Sequence, residues 1–180
     1  FGAGVDWGFS PDPGVITVWG YDDRGRRFMV TEICKTRWLI ETWADVAYQL
    51  QKLFDIRYFA CDPSRNAHIE VFRLRLSGRF GRNQGGMGVV KADNTLRSKA
   101  KATGKDLVGI DLLRHGLRDP DGEVWTYVLK NATPLGIDSD LKKRGRATCL
   151  ADEVTQWTYA KSPDGRALER PNPACDDHLL

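Results

Sequence analysis

Short segments in which apolar residues alternate with polar or small ones occupy the first part of the chain. Alternation of this kind is typical of half-buried β-strands, and it predicts strands at residues 2–8, 15–21 and 27–34. Turn-forming residues at 11–14 and 22–25 separate these segments, and the second turn favours a hairpin. The N-terminal region is therefore expected to be a three-stranded antiparallel meander.

The apolar spacing changes to a helical period after the third predicted strand. Residues 36–54 are predicted to form a helix and residues 56–61 a buried strand. Ser64 is a candidate N-cap for a helix through Leu76. The later elements are expected to be strands at 88–90 and 124–129, helices at 106–117 and 147–160, a loop containing Pro and Gly, and a turn at 176–180.

This order of elements predicts an α/β fold. Strand–helix–strand units imply parallel pairing, so we expect a central mixed β-sheet flanked by helices, antiparallel in its first three strands and then parallel. The arrangement resembles the ribonuclease-H-like fold, whose first and fourth strands each present one catalytic carboxylate. A chain of 180 residues is most simply one domain with its own core.

Composition and cysteine spacing exclude several classes of protein. The hydrophobic fraction of 41% and the charged fraction of 28% are ordinary for a globular domain. The four cysteines form no Cys-x-x-Cys pair, which argues against a zinc site or a disulfide framework and favours a reducing compartment. No apolar run approaches transmembrane length and no signal peptide is recognisable, so no membrane partner is expected. The chain starts without Met and ends in a predicted helical turn, so we expect it to be part of a larger protein.

Acidic residues at three distant positions are the candidate catalytic groups. Asp6 lies between glycines at the end of the first predicted strand, Asp62 follows the buried strand, and Asp176, Asp177 and His178 stand near the C-terminus. Each cluster alone is explained by a turn or a helix start. Brought together, the three would supply the hard oxygen ligands that two Mg²⁺ or Mn²⁺ ions need for phosphodiester hydrolysis.

Basic residues are concentrated in two stretches. The first, residues 73–105, contains nine Lys or Arg and one acid, and the second lies near residue 144. Either stretch is compatible with a solvated surface, but basic, Gly-rich loops beside a candidate nuclease site favour contacts with DNA phosphates. The residues expected to contact DNA are Arg79, Arg82, Arg97, Lys99, Lys101, Lys105, Lys142, Lys143 and Arg144. The segment around Lys105 lacks the residues of a P-loop, so ATP binding is not expected.

Taken in order, the acidic motifs resemble those of the nuclease domain of the large terminase subunit of tailed bacteriophages. The matching segments are 4–8 around Asp6, 60–64 around Asp62, Asp152-Glu153 with Trp157 and Tyr159, and the closing run 176–180. The resemblance spans nearly the whole chain. It implies that residues 1–180 form a single nuclease domain, the C-terminal part of a larger protein whose ATPase domain is absent here.

The resemblance also implies a mechanism and a setting. Asp6 would bridge two Mg²⁺ or Mn²⁺ ions, Asp62 would hold one ion, and Asp177 or His178 the other. Apart from the resemblance, Asp12 lies six residues after Asp6 between prolines, so it is either a turn former or a residue that acts behind these ligands, a role also expected of Asp176. The activity implied is endonucleolytic cutting of concatemeric viral DNA during genome packaging. The implied partners are double-stranded DNA, the terminase ATPase domain, the small terminase subunit and the portal, in the cytoplasm of the infected bacterial host.

One departure and two alternatives remain at the level of sequence. The last aspartate of the closing motif would be residue 181, one position beyond Leu180, so the metal ligand that it supplies in the family is not in this sequence. A Holliday-junction resolvase or a transposase-like nuclease shares the fold and the metals, and would differ by preferring branched DNA or DNA ends. A non-catalytic DNA-binding module would bind DNA without needing Mg²⁺ or Mn²⁺.

Overall fold

A computed structural model of the protein describes residues 1–77, 88–92, 116–118 and 120–171. Its strands are β1 (Gly2–Asp6), β2 (Gly14–Tyr21), β3 (Arg27–Lys35), β4 (Tyr58–Cys61), β5 (Gly88–Lys91), β6 (Thr126–Val128), β7 (Tyr159–Lys161) and β8 (Ala167–Pro171). Its helices of five or more residues are α1 (Ile40–Phe54), α2 (Asn66–Leu76), α3 (Ser139–Lys143) and α4 (Leu150–Gln156). None of the helices in this part of the chain is long and apolar enough to cross a lipid bilayer.

The main sheet has six strands in the order β5-β4-β1-β2-β3-β6. β1, β2 and β3 pair antiparallel, β4 pairs parallel with β1, and β5 pairs parallel with β4. β6 adds to the other edge, parallel to β3. The predicted α/β fold, with a mixed sheet that starts antiparallel and continues parallel, is therefore confirmed.

Helices α1 and α2 cover one face of the sheet. Their buried side chains, which include Trp43 and Phe72, form a single cluster with residues from β1, β2 and β4 such as Val5 and Phe59. Phe59 and Phe72 are fully buried, and each such side chain contributes roughly 1.5–3 kcal/mol of apolar burial. This cluster fixes the positions of β1 and β4, the two strands that carry candidate site residues.

The opposite face carries a smaller core formed with α3 and α4. Val15, Met29 and Cys34 from β2 and β3 are buried there with Leu141 of α3 and Leu150 of α4. These contacts place α3 and α4 over β2 and β3, on the face of the sheet opposite α1 and α2.

Helices α1 and α2 begin later than their sequences predicted, because polar residues before them make other contacts. α1 starts at Ile40 and not at residue 36. Thr36 bonds Asp138 through its backbone N–H and its hydroxyl, and Arg37 adopts φ 60°, which a helix does not allow. α2 starts at Asn66, and the prediction that Ser64 caps it is wrong: the N-cap is Arg65, because Ser64 bonds Asp62 instead.

The C-terminal third differs most from the sequence prediction. The helix predicted at 147–160 is the shorter α4, and α3 was not predicted. The segment that follows was predicted as a helix end and a loop, but it forms the antiparallel hairpin β7–β8. Strand predictions at 88–90 and 124–129 correspond to β5 and β6. The predicted turn at 176–180 and most of the helix at 106–117 lie outside the described residues.

Candidate metal centre at the ends of β1 and β4

Asp6 and Asp62 stand at equivalent positions on two neighbouring parallel strands. The register pairs Val5 of β1 with Cys61 of β4, so Asp6 and Asp62 are the next residue on each strand. The Asp62 N–H continues the ladder by donating to the Val5 carbonyl oxygen at 2.9 Å. Neighbouring strands lie about 4.8 Å apart, which places the two carboxylates within reach of one cation.

Both carboxylates belong to the face of the sheet that carries α3 and α4. Asp6 pairs with Val15, and Val15 pairs with Cys34; directly opposed residues of paired strands share a face. Val5 and Cys61 are buried in the core beneath α1 and α2, so the residue after each of them points the other way. Asp6 and Asp62 are half-buried, so each carboxylate is partly open to solvent.

Trp7 connects the two acidic residues. Its backbone N–H donates to Asp6 Oδ1 at 2.8 Å, and its indole Nε1–H donates to the Asp62 carbonyl oxygen at 2.8 Å. The ring is buried and meets His68 and Phe72 edge to face, with centroids 5.3 and 5.0 Å apart. Burial, with Arg65 adding to it and Glu41 opposing it, lowers the pKa of His68, so a neutral imidazole is expected against the Trp7 ring at pH 7.

Trp7 lies within the motif 4–8 around Asp6, but no role was predicted for it from the sequence. The available signal was its position two residues after Val5, which places both side chains on the buried face of an extended strand.

Ser64 holds the Asp62 carboxylate from the other side. Its backbone N–H donates to Asp62 Oδ1 at 3.2 Å, and its hydroxyl donates to Asp62 Oδ2. This is the local turn that Asp residues form with the backbone two positions later. Each carboxylate oxygen has two lone pairs, so Asp62 keeps acceptor capacity for a cation.

The donor set fits a hard divalent cation but is only part of a complete site. Asp6 and Asp62 supply carboxylate oxygens, which Mg²⁺ and Mn²⁺ prefer. Within the described ranges, no three His, Cys, Asp or Glu side chains form a group that could hold a metal ion. Asp176, Asp177 and His178 lie outside these ranges, so a third ligand from that segment stays a prediction.

Two cysteines near the acidic residues do not contribute thiolates. Burial raises the pKa of Cys61 to about 12, with Arg73 opposing and Asp62 adding to the effect. Burial also raises the pKa of Cys34 far above its usual range, with Glu153 and Glu32 adding to it. Both thiols therefore stay protonated at neutral pH and pack as apolar groups.

Asp12, predicted to act behind the metal ligands, lies in the loop between β1 and β2. It is exposed, and its Oδ1 is 3.5 Å from Nη2 of Arg146. Gly8 allows this loop to fold tightly, because a Cβ at that position would lie 1.9 Å from the carbonyl oxygen of Pro13. The loop thus joins Asp6 to the segment that follows α3.

Three of the residues predicted to contact DNA lie on one exposed surface. Lys142 and Lys143 form the last turn of α3, Arg144 follows them, and all three are exposed. Arg79, Arg82, Arg97, Lys99, Lys101 and Lys105 lie outside the described residues, and their contacts with DNA stay predictions.

Buried carboxylates attach α3 and α4 to the sheet beside the candidate site. Glu32 of β3 is 3% exposed, and its Oε2 accepts a hydrogen bond from the Leu150 N–H at 2.7 Å. Burial raises the pKa of Glu32; the Leu150 N–H opposes this shift and Asp152 adds to it.

Asp138 caps α3 through the N–H groups of Asp140 and Leu141 and also accepts hydrogen bonds from Thr36. Burial alone would raise the pKa of Asp138, but these hydrogen bonds outweigh it and the pKa is lowered.

Comparison with known proteins identifies the fold. No protein-family model and no curated protein sequence matches the chain. Among solved structures, the chain is similar to the nuclease domain of the large terminase of bacteriophage SPP1, crystallised with bound Mn. The match covers 96% of this chain and 76% of that domain, with a TM-score of 0.50 and 21% sequence identity. The expected resemblance is thereby confirmed at the level of structure: the chain has the ribonuclease-H-like fold of a terminase nuclease domain.

Proposed function

We propose that this chain is a divalent-metal-dependent endonuclease domain that cuts double-stranded DNA. The observation that carries the proposal is the placement of Asp6 and Asp62 at the carboxyl ends of neighbouring parallel strands, both on the face of the sheet that carries α3 and α4. In open α/β sheets, ligands bind at the carboxyl ends of strands where the chain order reverses direction. β1 is such a position here, because β2 lies on one side of it and β4 on the other.

The fold supports the same proposal. Similarity at 21% identity establishes the architecture, and its strand order supports the proposal because β1, which ends in Asp6, and β4, which Asp62 directly follows, are neighbours. The neighbour's bound Mn agrees with the carboxylate-rich donor set of β1 and β4.

In this mechanism the residues of the chain bind and orient the reacting groups. When bound, two Mg²⁺ or Mn²⁺ ions would supply charge neutralisation for the scissile phosphate, activation of the attacking water and stabilisation of the leaving oxygen. Asp6 and Asp62 would hold the ions, with Asp177 or His178 completing the set. Trp7 and Ser64 keep the two strand-end aspartates in place through the hydrogen bonds described above.

Recognition of DNA is proposed to be dominated by its backbone. The exposed residues Lys142, Lys143 and Arg144 carry positive charge on the helix that lies on the same face as Asp6. Contacts of this kind bind phosphates without reading bases, so cutting with little sequence preference is expected.

The biological setting follows from the proposed kinship with terminase nucleases. The domain would cut concatemeric viral DNA during genome packaging, as the C-terminal part of a larger protein that includes an ATPase domain. It would act with a small terminase subunit and a portal in the cytoplasm of the infected bacterium.

Cleavage of supercoiled plasmid tests the proposal. The purified domain is incubated with Mn²⁺, Mg²⁺ or EDTA, as wild type, as Asp62→Asn and as Asp55→Asn. Asp55 is a matched control because it precedes β4, whereas Asp62 follows the same strand. Its φ of 49° is a conformation that asparagine adopts readily.

Metal-dependent nicking and linearisation are expected from wild type and Asp55→Asn. The cleavage rate of Asp62→Asn is expected to fall by at least about 100-fold, which is the size of the loss when one electrostatic catalytic group is removed. Equal cleavage by all three proteins would refute the assigned site. DNA binding without cleavage in either metal would favour the non-catalytic DNA-binding module. A strong preference for four-way junctions over linear duplex would favour the resolvase alternative.

A further inference from the structure

Three segments meet at the end of the sheet where β1 finishes. The loop between β1 and β2 contacts the segment between β3 and α1, since the Arg37 N–H donates to the Phe9 carbonyl oxygen at 2.7 Å. Arg37 in turn pairs with Asp140 of α3. The chain after α3 returns to the first loop through the Arg146–Asp12 pair. These contacts form a closed ring beside Asp6.

Two arginines of this ring are held by carboxylates near solvent. Arg37 Nη1 is 3.2 Å from Asp140 Oδ2, with 68% and 40% of the two side chains exposed. Arg146 Nη2 is 3.5 Å from Asp12 Oδ1, with 34% and 55% exposed. Exposed ion pairs of this kind contribute about 0–1 kcal/mol to stability. Another anion can therefore displace the carboxylates with little loss of stabilising free energy.

The surroundings of the two pairs favour a polyanion as that other anion. Lys142, Lys143 and Arg144 lie between Asp140 and Arg146 in sequence and are exposed. A guanidinium binds phosphate through two parallel hydrogen bonds, as it binds carboxylate, so Asp12 and Asp140 occupy positions that suit phosphate groups.

We propose that Arg37 and Arg146 bind backbone phosphates of the DNA substrate, and that Asp140 and Asp12 hold these guanidinium groups in the free protein until phosphates replace the carboxylates. This inference rests on the proposed function, because it takes DNA as the ligand. It assigns Asp12 a role as counter-ion of Arg146 in place of a role behind the metal ligands, and it adds two arginines to the predicted DNA-binding residues.

Binding of a fluorescent DNA duplex in EDTA, followed by anisotropy across a salt series, tests the two arginines without cleavage. Each phosphate contact contributes about 0.9 to the slope of log affinity against log salt concentration. The double variant Arg37→Gln/Arg146→Gln is expected to reduce that slope by about 2. The matched control is Arg24→Gln/Arg26→Gln in the β2–β3 hairpin, which lies at the opposite end of β2 and contains the Arg26–Asp22 pair.

Removing the carboxylates tests the displacement step. Asp12→Asn/Asp140→Asn is expected to raise DNA affinity at low salt by at least about 3-fold more than Asp22→Asn/Asp23→Asn, which makes the same change in net charge at the far hairpin. The gain is expected to disappear when Arg37 and Arg146 are also replaced by Gln. Thermal unfolding confirms that each variant is folded before it is used.

Two results would overturn the inference: an unchanged salt slope in Arg37→Gln/Arg146→Gln, or equal gains from the two pairs of Asp→Asn substitutions. These readouts are independent of the nuclease proposal. A protein that shows the expected slopes but never cuts DNA contradicts the proposed function alone. A protein that cuts DNA but ignores Arg37 and Arg146 contradicts this inference alone.

Discussion

At the scale of single residues, the candidate site depends on one buried side chain as much as on its acids. Trp7 is 9% exposed and bonds a group of each acidic residue, the Asp6 carboxylate through its backbone and the Asp62 carbonyl through its indole. Leaving a buried carbonyl oxygen without its hydrogen-bond donor lowers the free energy of unfolding by about 1 kcal/mol or more. Trp7 is therefore expected to position the strand ends as well as to fill the core.

Trp7→Phe tests this role because it keeps an aromatic ring and removes the indole N–H. The free energy of unfolding is expected to fall by about 1–3 kcal/mol, and DNA cleavage is expected to fall at temperatures where the variant is fully folded. Trp43→Phe is the control, since Trp43 belongs to the same core but does not bond Asp62. Equal cleavage by the two variants would contradict a positioning role for Trp7.

The candidate site was predictable from the sequence where local signals sufficed. Asp6 ends β1, Asp62 directly follows β4, and the strand order brings the two together. The role of Ser64 was not predictable, because a serine before a helix is usually its cap and only the structure shows that its hydroxyl bonds Asp62. The Asp12–Arg146 pair joins residues 134 positions apart, and no local pattern indicates it.

At the scale of elements, buried carboxylates attach α3 and α4 to the sheet. Both helices are short, with five and seven residues, and isolated helices of this length are not stable. Asp138 caps α3 and bonds Thr36, and Glu32 bonds the first residue of α4. These contacts fix α3 and α4 on the sheet and hold in place the helix that pairs with Arg37 through Asp140.

The lowered pKa of Asp138 predicts how stability depends on pH. In the folded state this carboxyl group binds its proton less tightly than at the ordinary pKa of 3.8. Its stabilisation is therefore complete above that value and is lost as the pH falls through the lower pKa of the folded state. The difference in unfolding free energy between wild type and Asp138→Asn is expected to stay constant from about pH 7 to pH 5 and to narrow below about pH 4.

Denaturant unfolding at several pH values measures this difference, with Asp55→Asn as a control for loss of an aspartate outside this contact. A difference that stays the same down to about pH 3 would contradict the assigned contribution of the Asp138 carboxylate.

The bounds of elements were harder to predict than their existence. The start of α1 moved because Thr36 bonds a residue 102 positions away. The hairpin β7–β8 was missed because its turn, which closes through the Gly165 N–H and the Ser162 carbonyl, was predicted to belong to a loop between the helix at 147–160 and the turn at 176–180. The first error arises because a tertiary contact overrides the local pattern, and the second because Pro and Gly in a short hairpin turn resemble a loop.

At the scale of the whole molecule, the strand order concentrates chemistry at one end of the sheet. β1 lies between an antiparallel and a parallel neighbour, so its end is bordered by the loop before β2 on one side and by the start of α2 on the other. The antiparallel start and the parallel continuation were predictable from the order of elements. The parallel addition of β6 beside β3 was not, because its three residues carry too short a pattern.

The central claim is that Asp6 and Asp62 form one divalent-metal site. Calorimetric titration with Mn²⁺ tests it most directly. The proteins compared are wild type, Asp6→Asn, Asp62→Asn, the double variant and Asp55→Asn. Each single variant is expected to lose at least about 10-fold in affinity, because a ligand that shares the ion is removed. The double variant is expected to lose little more than either single one, as residues that act on one ligand are not additive. Asp55→Asn is expected to bind Mn²⁺ like wild type. Wild-type affinity in both single variants would contradict the claim.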